Sequence, residues 1–127
     1  MADRQALGEI VTVLETYFDG LHHSDTGRLG RVFHPAAHYV TVSDGTFLHR
    51  DMKTYFEVVE HRPSPASRGE VRADEIVSIE FAGPVTARAL VRCAIGTRRF
   101  IDLLTLIRLD GQWRIISKVF HFSEGEG

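Results

Sequence analysis

The chain has 127 residues, with 15 basic and 17 acidic side chains, and this length makes one domain that buries roughly two thirds of its unfolded surface. Such a core needs no metal or disulfide, and the single cysteine, Cys93, lies in an apolar run without a C-x-x-C spacing and reads as a small buried hydrophobe. A net charge of -2 with both signs interspersed leaves no basic stripe for a phosphate backbone, so a nucleic-acid partner is not expected.

The chain opens on MADRQALGE, which lacks an apolar signal core. No later run approaches the roughly 18 apolar residues of a membrane span, so the expectation is a soluble cytoplasmic protein with no membrane partner. Leu7, Ile10, Val11, Leu14, Tyr17, Phe18 and Leu21 recur at helical spacing and predict an amphipathic first helix, capped by Asp3. Asp25 then caps a short second helix with the stripe Leu29, Val32 and Phe33, stopped at Pro35. HYVTVS and TFLHR around Asp44-Gly45 predict a hairpin from His38 to Arg50, and Asp51 caps a third helix reaching Arg62, with Met52, Tyr55, Phe56 and Val59 on one face. From Glu70 the period becomes two. Val71, Ala73, Glu75, Val77, Ile79 and Phe81 share one face, Gly83-Pro84 turns the chain, and Val85, Ala87, Ala89, Val91 and Cys93 follow. One domain over 1–127 results, with about 123–127 as a disordered tail.

FIDLLTLIRL and QWRIISKVFHF, joined by Asp110-Gly111, carry the strongest hairpin signal in the chain. Asp102 is its most informative residue, because a carboxylate among Phe100, Ile101, Leu103 and Leu104 must be paired or kept neutral. A two-residue loop sets Asp102 opposite Val119 with His121 diagonal, an Asp/His dyad. A three-residue loop with a glycine bulge sets Asp102 opposite Lys118, a cross-strand ion pair on the outer side. The second register segregates the apolar residues more cleanly, but the two remain open.

Tyr17, Leu21 and Asp25, then Phe33-His34-Pro35-Ala36-Ala37, then Asp102-x-Leu104-x-Leu106 with Gly111-x-Trp113-x-Ile115 and Lys118, together resemble the NTF2-like superfamily over essentially the whole chain. The nearest likeness is to its lumazine-binding-like and SnoaL-like members. The resemblance implies an α+β cone in the order ααββαββββ, three helices packed on a curved mixed or antiparallel sheet around an interior pocket. It also implies a homodimer through the outer sheet face. Members include isomerases, dehydratases, cyclases and non-catalytic binders, so the fold does not choose a function. Laid over ketosteroid isomerase, the pattern puts Tyr17 at the oxyanion donor, pointing into the cone, and Thr41 where that family has its carboxylate base. A threonine hydroxyl cannot accept a proton at neutral pH, so steroid-type isomerisation is not expected.

The leading expectation is a binder of a small apolar or aromatic molecule. Tyr17, Tyr39 and Thr41, with Asp102 and His121, are its polar contacts; Leu104 lines the pocket, and Trp113 serves as packing plug or stacking platform. The rival is an acid/base isomerase or dehydratase of a carbonyl-containing ring compound, in which Tyr17 donates to the oxyanion and His121, oriented by Asp102, moves the proton. A third reading is a dimeric assembly domain without a ligand. No cofactor is expected, since no phosphate-binding glycine loop is present. Nor is a metal, since Pro35 denies His34 and His38 a shared helical face. His49, opposite Val40, is a further candidate base at the pocket rim.

Overall fold

The computed structural model describes residues 2–125, and side chains from Arg4 to Gly125. The Asp3 cap expected for the first helix lies outside those side chains. Helix α1 (Ala2–His23) buries Ile10, Leu14, Tyr17 and Leu21, the stripe that its 3–4 spacing demands. It ends where Ser24 turns left-handed (φ 48°) and the Asp25 N–H bonds back to the Gly20 carbonyl at 2.9 Å. Gly20 is required there, because a Cβ would stand 2.6 Å from Leu29 Cδ2 of the returning helix α2 (Thr26–Val32). The Asp25 carboxylate caps α2 by accepting from the Arg28 N–H at 3.1 Å, as its sequence position suggests.

Strands β1 (Phe33–Thr41) and β2 (Leu48–Asp51) pair antiparallel, with Val40 opposite His49 as expected. Asp51 caps α3 (Met52–His61) by accepting from the Thr54 N–H at 2.8 Å. After one 3-10 turn (Ala66–Arg68) come β3 (Glu75–Phe81), β4 (Thr86–Ile95), β5 (Arg98–Leu109) and β6 (Gln112–Glu124). The element order is the expected one. One sheet runs β2-β1-β6-β5-β4-β3, antiparallel except for the parallel β1–β6 pair, and the helices and the buried core lie on one side of it. No helix among the described residues is long and apolar enough to cross a membrane.

Two local expectations are corrected. In β3 the register shifts between Ile76 and Ser78, so Ile76 and Ile79 are the half-buried pair and the single face through 75, 77, 79 and 81 is broken at Val77. The expected disorder from residue 123 is replaced by strand, because Glu124 pairs with Arg98 and its carboxylate meets the Arg98 Nε at 3.2 Å. Residues 126–127 lie outside the described part.

Candidate active site

Leu109 stands opposite Gln112, and Asp110 and Gly111 both have positive φ (52° and 77°), so the last hairpin closes through a two-residue loop. That register alone would face Asp102 with Val119. Between Thr105 and Leu106, however, the pairing slips: Leu106 faces Ile115, Thr105 faces Ser117, and Ile116 is the extra residue of a bulge. Asp102 therefore lies opposite Phe120, and Lys118, opposite Leu104, becomes its diagonal neighbour on the inner face.

The two sequence registers are each corrected by half. The Asp102/His121 dyad does not form: His121 is exposed, opposite Ile101, on the face away from the helices, while Asp102 is fully buried. The Asp102–Lys118 pair does form, but inside the cone rather than on the outer side.

The pair is part of a larger cluster. Tyr17 Oη donates to Asp102 Oδ2 at 2.6 Å, Lys118 Nζ lies 4.0 Å from the same oxygen, and Nζ also donates to Tyr55 Oη at 3.4 Å. Four rings surround the ammonium, those of Tyr17, Tyr39, Tyr55 and Phe120, with Nζ 5.1–5.4 Å from each centroid. Four elements place these groups: the stripe of α1 supplies Tyr17, the face of α3 supplies Tyr55, and the bulged pair of β5 and β6 supplies Asp102 and Lys118. Asp102 Oδ1 is enclosed and has no hydrogen-bond partner.

Electrostatics assigns the protons. Burial, and then the adjacent Asp102 carboxylate, hold the Tyr17 hydroxyl well above the usual phenol range. Tyr17 thus keeps its proton and spends it on Asp102, so it positions the carboxylate instead of offering a free oxyanion donor as the resemblance implied. For Lys118, burial is the largest influence and opposes the charge. Tyr55 and Asp102, followed by Tyr39 and Cys93, outweigh it, and the pKa lies above the ordinary lysine value. The amine is an ammonium at neutral pH. Burial also raises Tyr55, against the opposing charges of Lys118 and Arg62. Cys93, on the inner face diagonal to Asp102, is pushed up to about 12 by burial first and Asp102 second, and is a thiol.

The remaining sequence candidates fall in three places. Tyr39, half-buried, stacks on Tyr55 at 4.6 Å and belongs to the ring around Lys118; Leu104 is core beneath it. Thr41 is a structural residue, its hydroxyl donating to the Phe120 carbonyl at 2.7 Å, and so leaves the list of ligand contacts. Trp113 packs edge-on against Phe81 at the far end of the sheet and borders a surface cleft of about 460 Å³ with Glu9, Arg31 and Arg114, apart from the cluster. His49 is exposed and hydrogen-bonds His38 at 2.8 Å, which removes it from the pocket rim. Among the described residues no three His, Cys, Asp or Glu side chains converge as metal ligands.

The family model "Putative lumazine-binding" matches residues 5–121. The chain belongs to this lumazine-binding-like family. It is 22% identical over 114 residues to an aldolase, FrzH, of Cladobotryum sp, covering 88% of this chain and 87% of that protein. Two crystal structures of NTF2-like proteins of unknown function share the fold. That from Silicibacter pomeroyi has a TM-score of 0.82 at 23% identity and covers 97% of this chain and all of its own (100%). That from Shewanella baltica has a TM-score of 0.84 at 24% identity, covering 95% and 96%.

In this lumazine-binding-like chain the residues that sequence reasoning missed are Lys118 as an interior group and Tyr55 as its partner. Sequence parity does not reveal Lys118, because Ile115 and Ile116, and Val119 and Phe120, are apolar on both parities of β6; the structure buries Trp113 and Ile115 on one parity and Lys118 and Phe120 on the other, with one extra residue between them.

Proposed function

We propose that the protein binds a small carbonyl compound inside the cone and catalyses proton transfer at the carbon next to its carbonyl. The observation that carries this reading is the free Oδ1 of Asp102, an enclosed acceptor with no partner, set beside a buried ammonium. A buried ion pair is rarely the cheapest way to stabilise a core, and an unsatisfied carboxylate oxygen costs more still. Asp102 Oδ1 is placed to take the α-proton: the C–H bond breaks, an O–H bond forms on Asp102, and the electron pair moves to the carbonyl oxygen. Lys118 and Tyr55 stabilise the resulting enolate, and Tyr17 holds the base in place. Returning the proton to another carbon gives isomerisation. Attack of the enolate carbon on a second carbonyl forms a C–C bond and moves that carbonyl's π pair to its oxygen, which takes the proton back from Asp102 to give an aldol, the class named for the Cladobotryum relative. Rings of Tyr17, Tyr39, Tyr55 and Phe120 suit a flat, largely apolar substrate, and Tyr39, the half-buried member, is the wall that must move to admit it.

Deuterium uptake by cyclohexanone in D₂O, followed by mass spectrometry, tests the reading. Wild type should exceed buffer, and Asp102→Asn should lose roughly two orders of magnitude or more, the usual contribution of a general base. No uptake above buffer by wild type, with this ketone and with 2-cyclohexenone, would overturn it.

We also propose a homodimer through the outer sheet face. Val40, Val119, Leu103 and Leu90 form one cross-strand row there, with Val119 and Leu103 46% and 43% exposed. The neighbouring rows carry Arg88 with Glu80 and Arg92 with Glu75. An apolar stripe flanked by both charges can complement a second copy of itself about a twofold axis.

A further inference from the structure

We propose that Arg62 is the anion-binding residue of this site, and that the substrate is therefore a carbonyl compound carrying a carboxylate. The inference rests on the acid/base reading for the word carbonyl, and on Arg62 itself for the word carboxylate. Met52, Tyr55 and Val59 are the buried residues of α3, and Arg62, the C-cap residue three positions on, continues the same stripe. Its side chain accordingly starts from the face that delivers the Tyr55 hydroxyl to Lys118.

Arg62 Nε is enclosed and has no hydrogen-bond partner. Among the described residues Arg28, Arg68, Arg72, Arg88, Arg92 and Arg98 each meet a carboxylate within 4.0 Å, at side chains between 37% and 58% exposed. Arg62 is half-buried and meets none; Arg50 and Arg114, half-buried and likewise without a carboxylate, are engaged elsewhere, Arg50 over the Tyr39 ring at 5.3 Å and Arg114 with Gln112 Oε1 at 3.0 Å. The positive charge of Arg62 bears on Tyr55, two turns back on the buried stripe of α3, in the direction opposite to burial.

Charge balance gives the ligand chemistry. Lys118 and Asp102 neutralise one another, so Arg62 leaves one uncompensated positive charge against the cone. A single carboxylate would cancel it and would fill two donors of the planar guanidinium fork. In the proposed binding mode the carboxylate meets Arg62, the carbonyl oxygen meets Lys118 and Tyr55, and the α-carbon faces Asp102. Two orphaned groups of the protein, one donor and one acceptor, are then satisfied by the same molecule.

The test compares 3-oxocyclohexane-1-carboxylate with its methyl ester, by calorimetric binding and by deuterium uptake, in wild type, Arg62→Met, Arg62→Lys and Asp102→Asn. Thermal midpoints confirm that each variant is folded. Wild type should bind the carboxylate tighter than the ester by about tenfold or more, the worth of a charged hydrogen bond. Arg62→Met should erase that preference, bringing the affinity for the acid down to that for the ester, and Arg62→Lys should restore part of it. Asp102→Asn should retain the preference and lose the uptake. Equal binding of acid and ester by wild type, a preference that survives Arg62→Met, or no saturable binding of the acid would each overturn the assignment of Arg62. A preference lost in Arg62→Met without uptake in any protein would uphold Arg62 and overturn the acid/base reading instead.

Discussion

Replacing Lys118 by methionine removes the ammonium while keeping most of the side chain's volume, and leaves Asp102 charged inside the core with only Tyr17 as a donor. At the observed 4.0 Å separation, the Coulomb attraction of the pair is about 4 kcal/mol for an effective dielectric constant near 20. Breaking a buried pair from one side typically costs about 3 to 5 kcal/mol, so the two figures agree. Asp102→Leu should cost a similar amount, since it strands the ammonium. The double variant Asp102→Leu/Lys118→Met strands neither charge and should be less destabilised than the two single losses added, by about 3 kcal/mol or more. Urea unfolding reports this directly, because the chain has a single tryptophan, Trp113, buried at the sheet end. Protein concentration must be held fixed across the cycle, since a dimer would make stability depend on it. Losses that add to within about 0.5 kcal/mol would refute the claim that Asp102 and Lys118 interact as charges.

Tyr17→Phe should lower stability by about 1 to 3 kcal/mol, because it leaves the second oxygen of a buried carboxylate without a hydrogen bond, and a neutral urea midpoint would contradict the 2.6 Å contact. Stability should also fall in alkali. Tyr17, Tyr55, Cys93 and Lys118 all have pKa values raised by folding, so the native state holds protons that the unfolded chain releases first. Their contribution is complete below about pH 9 and is lost as pH rises. Cys93 alone, moving from 9.0 to about 12, accounts for about 2 to 3 kcal/mol at pH 11; a thermal midpoint unchanged up to that pH would contradict this. At pH 8 the same shift should slow alkylation of native Cys93 by about a thousandfold relative to the urea-unfolded chain, and equal rates would show that the thiol is neither buried nor protonated. On the outer face, Leu103→Glu should convert a dimer to a monomer in sedimentation without altering the cluster, and an unchanged dimer would move the interface elsewhere.

The helices and their caps were legible because they are local: Asp25 and Asp51 each precede an apolar stripe and each accepts the N–H three residues on. The hairpin turn was legible for the same reason, since Asp110-Gly111 carries the two positive φ angles that its loop type requires. The interior cluster was harder. Its four members lie on four elements and are separated by up to 101 positions, and one residue decides its composition. A bulge at Ile116 turns Lys118 from the outer face to the inner one and sends His121 the other way. Strict alternation from Trp113 holds through Ile115 and gives the wrong face for every residue past the bulge, which the burial of Lys118 and Phe120 in the structure reveals. Thr41 was misassigned for a different reason: a hydroxyl facing the core can be satisfied by a neighbouring carbonyl, and periodicity does not reveal that partner.

The account turns on Lys118 being a buried ammonium that stabilises negative charge, and the ¹³Cε resonance of Lys118 in selectively labelled protein, titrated with pH, tests it most directly. The resonance should keep its ammonium position past the pH at which a free lysine titrates, while in Asp102→Asn, where burial meets less opposition, its midpoint should fall. A neutral amine at pH 7 in the wild-type protein would contradict the account, because Lys118 would then be a nucleophile toward carbonyls and not the electrostatic partner of Asp102.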